Sequence, residues 1–478
     1  MIEKRQFYID GRWVDPASPK DHSVINPANE EACAVISLGG KADVDKAVAA
    51  ANAAFSDWMM TPPIERIALV EKLYSIYKAR AEDMAQAMSI EMGAPISLAR
   101  GDQFGAGEGN IRGLIEAAKN YQFEEVFDED RPEYRILNEP VGVCALITPW
   151  NWPMNQVTLK VAAAAIAGCT MVLKPSEESP LNAMLFAEFV DEAGFPRGVF
   201  NLINGDGAGV GSDLVNHPDI DMVSFTGSTR AGKEIVRNTA NDVKRVSLEL
   251  GGKSANIIFP DADAGAVERG VMGVMINSGQ SCDSPTRMLV HRDVYDKAVE
   301  AAAKVMSSVE VGNPSETGAH IGPVVNESQF DRIQGLIQKG IDEGARVVVG
   351  GLGRPDGMNR GYFVRPTLFA DANNQMTIAQ TEIFGPVLTM IPFETEEEAV
   401  EIANDTVYGL NSYVQTADGN RANRIARQMR AGMVTMNGIP RAVGSPFGGY
   451  KQSGIGREGG RWGIEDFMQV KSVAGWFQ

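Results

Sequence analysis

Apolar positions fall along this chain with two periods. From Val141 onward, short apolar runs alternate with longer stretches in which apolar residues return once per helical turn. The first kind reads as strands and the second as helices. The pattern predicts strands at Val141 to Ile147, Thr170 to Leu173, Val199 to Ile203, Met222 to Phe225 and Arg245 to Leu250. Helices are expected between them, at Met154 to Ala167, Leu181 to Ala193, Ala208 to Val215 and Ala231 to Ala240. Such alternation builds a parallel, doubly wound α/β sheet that takes ligands at the carboxyl ends of its strands. Polar signatures stand at those ends: Thr148-Pro149-Trp150-Asn151, Lys174-Pro175-Ser176-Glu177, Gly205-Asp206-Gly207 and Phe225-Thr226-Gly227-Ser228-Thr229.

The flanks read differently. Phe7 to Val14 reads as a hairpin around Asp10-Gly11. Helices follow at Asp43 to Trp58, in two pieces over Pro63 to Met92, and at Asp102 to Tyr121, all with the pattern of packing layers. Arg131 to Glu139 is polar and strand-like, which suits either a linker or an oligomer arm. After Gly251-Gly252-Lys253 a second α/β block begins, with helices at Val294 to Val309, Glu327 to Glu343 and Glu396 to Asn404 and a strand at Arg346 to Val349.

Length and charge narrow the class. A chain of 478 residues exceeds one ordinary core, so two or three domains are expected. The net charge of −18 disfavours nucleic acid and anionic membrane as partners. The longest nearly apolar run, Val161 to Leu173, is shorter than the ~20 residues a membrane span needs. No basic-then-apolar leader opens the chain, and four scattered cysteines do not form a disulfide framework, so a reducing cytoplasm is expected. No histidine pairs with a cysteine at ligand spacing, so no metal site is expected.

Chemistry concentrates in a few turns. Cys282 lies in Ser278-Gly279-Gln280-Ser281-Cys282-Asp283, a polar turn between a helix-like run and the strand-like Met288 to His291. That position fits a reactive thiol or a plain turn cysteine. Gly227-Ser228-Thr229-Arg230-Ala231-Gly232 follows a strand and opens a helix, where amides can hold a pyrophosphate; the same residues also fit a plain strand-to-helix turn. Glu177, near Lys174, can accept both hydroxyls of an adenosine ribose and would repel a 2′-phosphate, which favours NAD over NADP; the two also fit a solvated pair at a helix start. Glu249 at a strand end can act as a base or sit at the sheet rim. Asn151 suits an oxyanion donor or a helix N-cap.

These motifs, with Glu249-Leu250-Gly251-Gly252-Lys253, Glu382-Ile383-Phe384-Gly385-Pro386 and Pro446-Phe447-Gly448-Gly449, resemble the ordered motif series of the NAD(P)-dependent aldehyde dehydrogenase superfamily over nearly the whole chain. The resemblance implies a Rossmann-type cofactor domain (1–120 and 141–250), an α/β catalytic domain (251–445), and a small β oligomerisation arm with the C-terminal tail (121–140 and 446–478). It implies Cys282 as nucleophile, Asn151 and the Cys282 amide as oxyanion donors, and Glu249 as the base that hydrolyses a thioester. Trp150, Lys174, Glu177, Gly227, Ser228, Glu382 and Phe384 would bind NAD. The expected partner is a small-molecule aldehyde, and the expected assembly a homodimer or homotetramer. An acylating relative that passes the thioester to coenzyme A is the alternative; a catalytically silent scaffold is a third reading, which the presence of both Cys282 and Glu249 opposes.

By position relative to these motifs, Trp152, Gln156, Leu159, Asp283, Arg441 and Phe447 would line the aldehyde pocket. Asp283 departs from the small or apolar residue many relatives carry there, and would disfavour anionic aldehydes. Arg441 points the other way, since a guanidinium can pair with a substrate carboxylate.

Overall fold

The apolar runs pair as continuous buried strands. In the computed structural model, which describes residues 1–477, Arg245–Glu249, Met222–Thr226, Val143–Ile147, Thr170–Lys174 and Phe200–Leu202 lie in parallel, in that spatial order. Four of them are buried along their whole length, the burial expected of a parallel sheet covered on both faces. Chain order runs outward from Val143–Ile147 in both directions. The switch point therefore falls between Val143–Ile147 and Met222–Thr226, and the turns Thr148 to Asn151 and Gly227 to Thr229 face one crevice. The hairpin Phe7–Ile9 and Arg12–Val14 extends one edge, and Gly454–Ile455 pairs with Arg245–Glu249 at the other.

A second sheet runs in the order Arg346–Val349, Thr367–Ala370, Val387–Phe393, Arg287–His291, Ala255–Ile258, Asn411–Gln415, Met433–Met436. Only Arg346–Val349 is antiparallel to its neighbour. Arg287 anchors the strand that follows the cysteine loop. Its buried guanidinium donates to the carbonyls of Lys253 (3.0 Å), Ile402 (2.9 Å) and Ala403 (2.8 Å) and to Asn374 Oδ1 (2.9 Å). Two of those carbonyls belong to the last turn of helix Glu396–Asn404, where a cation also suits the helix dipole.

The polar strand expected at Arg131 to Glu139 forms at Tyr134–Pro140. It pairs with Met468–Ala474 along its whole length and with Glu124–Val126. The rest of the C-terminal segment packs elsewhere: helix Gly460–Asp466 lies on Phe104–Lys119 and Pro153–Ala167. Two helices differ from expectation at their starts. The one read as Asp102 to Tyr121 begins with a wider-wound turn, Ala99–Gln103, before Phe104–Lys119. The one read as Ala208 to Val215 begins with a wide turn at Gly207–Gly211 before Ser212–Asn216. Both starts are glycine-bearing, so local propensity does not fix the winding. Among the described residues, no helix is long and apolar enough to cross a membrane.

Candidate active site

The loop that carries Cys282 is strained and tied down. After helix Ala266–Met275 come three consecutive left-handed residues, Asn277 (φ 51°), Ser278 (φ 56°) and Gly279 (φ 75°). Non-glycine residues in that region cost on the order of 1–3 kcal/mol each, so neighbours must hold them. Asn277 Nδ2 donates to the Asn151 carbonyl at 2.8 Å, and Ser278 Oγ to the Gly322 carbonyl at 2.8 Å. Gln280 Nε2 donates to the Asn277 carbonyl at 3.1 Å, while its Oε1 accepts the Val325 N–H at 3.0 Å. Two other loops press close. A Cβ on Gly279 would stand 2.0 Å from the Gly385 carbonyl oxygen, and one on Gly252 would stand 2.3 Å from that of Cys282.

Cys282 sits between two cavities. One, of about 470 Å³, is walled by Trp152, Gln156, Asp283, Tyr413, Arg441 and Phe447, among others. The other, of about 480 Å³, lies at the switch point and is walled by Trp150, Asn151, Gly227, Ser228, Glu249, Glu382 and Phe384, among others. Among the described residues, Cys282 alone lines both.

Burial shapes the charges here. It pushes the Cys282 thiol well above its ordinary pKa, and the carboxylates of Asp283, Glu382 and Glu249 add to the effect, while Arg441 opposes it. Glu249 is buried, and neither of its carboxylate oxygens has a protein partner. Desolvation raises its pKa well above the carboxylate range, with Glu458 adding and Lys160 opposing. Behind it, Lys160 Nζ donates to Glu458 Oε1 at 2.5 Å and to Ser224 Oγ at 3.1 Å, a pair wholly inside the protein. Burial pushes Glu382 up to about 7, although the Gly252 N–H donates to its Oε1 at 3.0 Å. Burial also pulls Lys253 down to about 7.

The polar side chains of the Trp150 turn face the cysteine loop. Asn151 Nδ2 donates to the Gln280 carbonyl at 3.0 Å and does not cap helix Pro153–Ala167, leaving one amide N–H for another acceptor. Trp152 Nε1 donates to Ser281 Oγ at 2.8 Å. Ser228 Oγ caps helix Thr229–Thr239 by accepting the Ala231 N–H at 3.3 Å. Thr226 and Glu249 line the switch-point cavity, and Thr226 Oγ1 and both Glu249 oxygens are buried without protein partners, the unsatisfied polar groups expected near a polar cofactor.

Three expected residues lie off these walls. Leu159 is two turns into helix Pro153–Ala167 and buried, so its helical spacing from Gln156 carries it past the cavity into packing. Lys174 is turned along the sheet end, where Nζ donates to the carbonyls of Pro175 (2.9 Å) and Gly205 (2.6 Å) and lies 3.3 Å from Glu177. That places the Lys174–Glu177 pair outside the lining of the switch-point cavity. Sequence reading missed Ala106 and Tyr413 on the wall beside Asp283 and Arg441, and Gln329, Arg332 and Tyr408 on the switch-point wall. Gln329 and Arg332 stand one helical turn apart on Glu327–Asp342, a spacing that signals a shared face but not what the face meets.

This geometry has known counterparts. A profile of the Aldehyde dehydrogenase family matches residues 13–473. A 3-succinoylsemialdehyde-pyridine dehydrogenase of Pseudomonas sp is 48% identical over 478 residues, covering 100% of this chain and 99% of the relative. The crystal structure of an aldehyde dehydrogenase from Bartonella henselae is 57% identical, covers 100% of both chains and superposes with a TM-score of 0.98. Aldehyde dehydrogenase C from Pseudomonas syringae, a cysteine-to-alanine mutant complexed with NAD+ and octanal, is 48% identical, with a TM-score of 0.97 over 99% of this chain and 97% of that one. With its strained cysteine loop and two flanking cavities, the chain belongs to the aldehyde dehydrogenase family.

Proposed function

We propose that this chain oxidises an aldehyde to a carboxylic acid with NAD as oxidant. The observation that carries this reading is the position of Cys282 as the shared wall of two cavities, one for each reactant. The Cys282 thiol releases its proton to solvent water, and its sulfur attacks the aldehyde carbonyl carbon while the π pair moves to oxygen. The free N–H of the Asn151 amide and the Cys282 backbone N–H donate to that oxyanion. Collapse of the thiohemiacetal expels hydride and leaves a thioester on Cys282. NAD, when bound in the switch-point cavity, supplies the hydride acceptor. Glu249 then takes a proton from water, hydroxide adds to the thioester carbon, and the acid leaves as the thiolate is restored. A desolvated carboxylate with no protein partner is a stronger base than an exposed one, which supports this role for Glu249 and disfavours transfer to coenzyme A.

Trp150, Gly227, Ser228, Glu382 and Phe384 would hold NAD, with Lys174 and Glu177 at the adenosine ribose. Fluorescence or absorbance assays of NAD reduction with an aldehyde panel test the reading. Wild type is expected to turn over without coenzyme A, and Cys282→Ala to lose roughly 10³-fold or more. Turnover that waits for coenzyme A overturns the hydrolytic route.

The same reading extends to organisation. We assign cofactor binding to the first sheet, catalysis to the second, and assembly into a homodimer or homotetramer to the three-stranded arm. Four free cysteines suit a cytoplasmic setting.

A further inference from the structure

Two arginines line the aldehyde-side cavity, and each is answered by an aspartate. Arg269 is held in a fork: Nη1 donates to Asp263 Oδ1 at 2.7 Å, and Nη2 to Asp263 Oδ2 at 2.5 Å and Gln415 Oε1 at 3.0 Å. Such a forked pair leaves little for a ligand. Arg441 has no forked carboxylate; its Nη1 lies 2.6 Å from Met433 Sδ, and its ion pair is longer. Its Nη2 lies 3.5 Å from Asp283 Oδ2, with side chains 39% and 26% exposed, and its guanidinium sits 4.7 Å from the centre of the Phe447 ring. A partly exposed pair of this length contributes little to stability, so its main effect is on local charge. Asp283 is fixed beside the nucleophile by its own backbone, since its carbonyl accepts Tyr413 Oη at 2.9 Å. With both pairs made, the charges on this wall cancel. What remains for a substrate tail is aromatic and amide surface from Trp152, Phe447, Asn155 and Gln156.

We infer that the Asp283–Arg441 pair sets the charge preference of the enzyme, cancelling the cation that lacks a forked carboxylate so that the cavity selects aldehydes with uncharged tails over those ending in a carboxylate. The inference rests on the aldehyde-oxidising reading above and deepens it. A carboxylate tail would meet Asp283 and find Arg441 already engaged. The octanal in complex with the Pseudomonas syringae relative carries an uncharged tail of the favoured kind.

The test compares kcat/KM for hexanal and for adipic semialdehyde, which share chain length and differ in the terminal carboxylate. Wild type is expected to favour hexanal. Asp283→Asn frees Arg441 and lowers the hexanal-to-semialdehyde ratio by roughly fivefold or more. Arg441→Gln leaves Asp283 unneutralised and raises the ratio. The double variant returns it toward wild type. Because each ratio is measured within one preparation, a loss of folded enzyme cancels. A wild-type preference for adipic semialdehyde, or an unmoved ratio in Asp283→Asn, overturns the inference while leaving aldehyde oxidation intact. Absence of NAD reduction by wild type with every aldehyde overturns the function itself, and the inference with it.

Discussion

At Cys282 the sulfur has three carboxylates for neighbours and one guanidinium. Burial and those carboxylates favour the protonated thiol. Alkylation by iodoacetamide should therefore rise with pH toward a midpoint above the ordinary thiol value of about 8.5. Asp283→Asn removes the largest of the charge effects and should move that midpoint down. A wild-type midpoint at or below the ordinary value would contradict the burial described here. Cys282, Glu249 and Asn151 stand out as candidates in the sequence because each lies in a short motif whose neighbours share its loop. The Asp283–Arg441 pair is not legible, because its halves come from distant loops and each, read alone, argues for the opposite substrate. Leu159 misleads for a related reason: helical spacing gives direction around an axis but not depth along it.

Among the elements, the turn Glu382-Ile383-Phe384 is the one most visibly held in place. Phe384 is left-handed (φ 63°), and helix Glu327–Asp342 clamps the turn through its carbonyls. Gln329 Nε2 donates to Ile383 O at 3.2 Å and Phe384 O at 2.8 Å; Arg332 donates to Ile383 O at 2.8 Å and Glu382 O at 2.5 Å. If Glu382 holds the nicotinamide ribose, Arg332→Ala should raise KM for NAD about tenfold, as the loss of charge-assisted bonds predicts, with a smaller change in kcat. Arg332→Lys should restore part of it. The pH dependence has a definite sign. With its pKa pushed up to about 7, Glu382 is protonated below that value and loses acceptor capacity, so KM for NAD should rise as pH falls through 7. Initial-rate measurements at saturating aldehyde check both. The helix itself is legible from its period, ending within a residue of expectation. Its role is not, because an amphipathic stripe looks the same whether it meets core or a strained turn.

Over the whole molecule, the parallel sheet follows from the run-and-helix alternation, while its strand order and the pairing of Tyr134–Pro140 with Met468–Ala474 join segments too distant for any local pattern to predict. That arm leaves Met468–Ala474 as an edge strand carrying an exposed Val470, with Phe477 exposed just beyond it in the chain. An uncovered edge of this kind invites pairing with a second copy. Light scattering should find a dimer or tetramer, and Val470→Lys should shift the mass toward the monomer; a monomeric wild type would remove the arm's proposed role.

The placement of Cys282 between two chambers also bears on inhibition. An electrophile that captures this thiol can be extended in either of two directions, and the two extensions need not compete for space. A substituent grown toward the switch point meets Trp150, Glu249 and Glu382. One grown the other way meets Asp283, Arg441 and Tyr413. The two extensions can therefore be varied one at a time on a common electrophile.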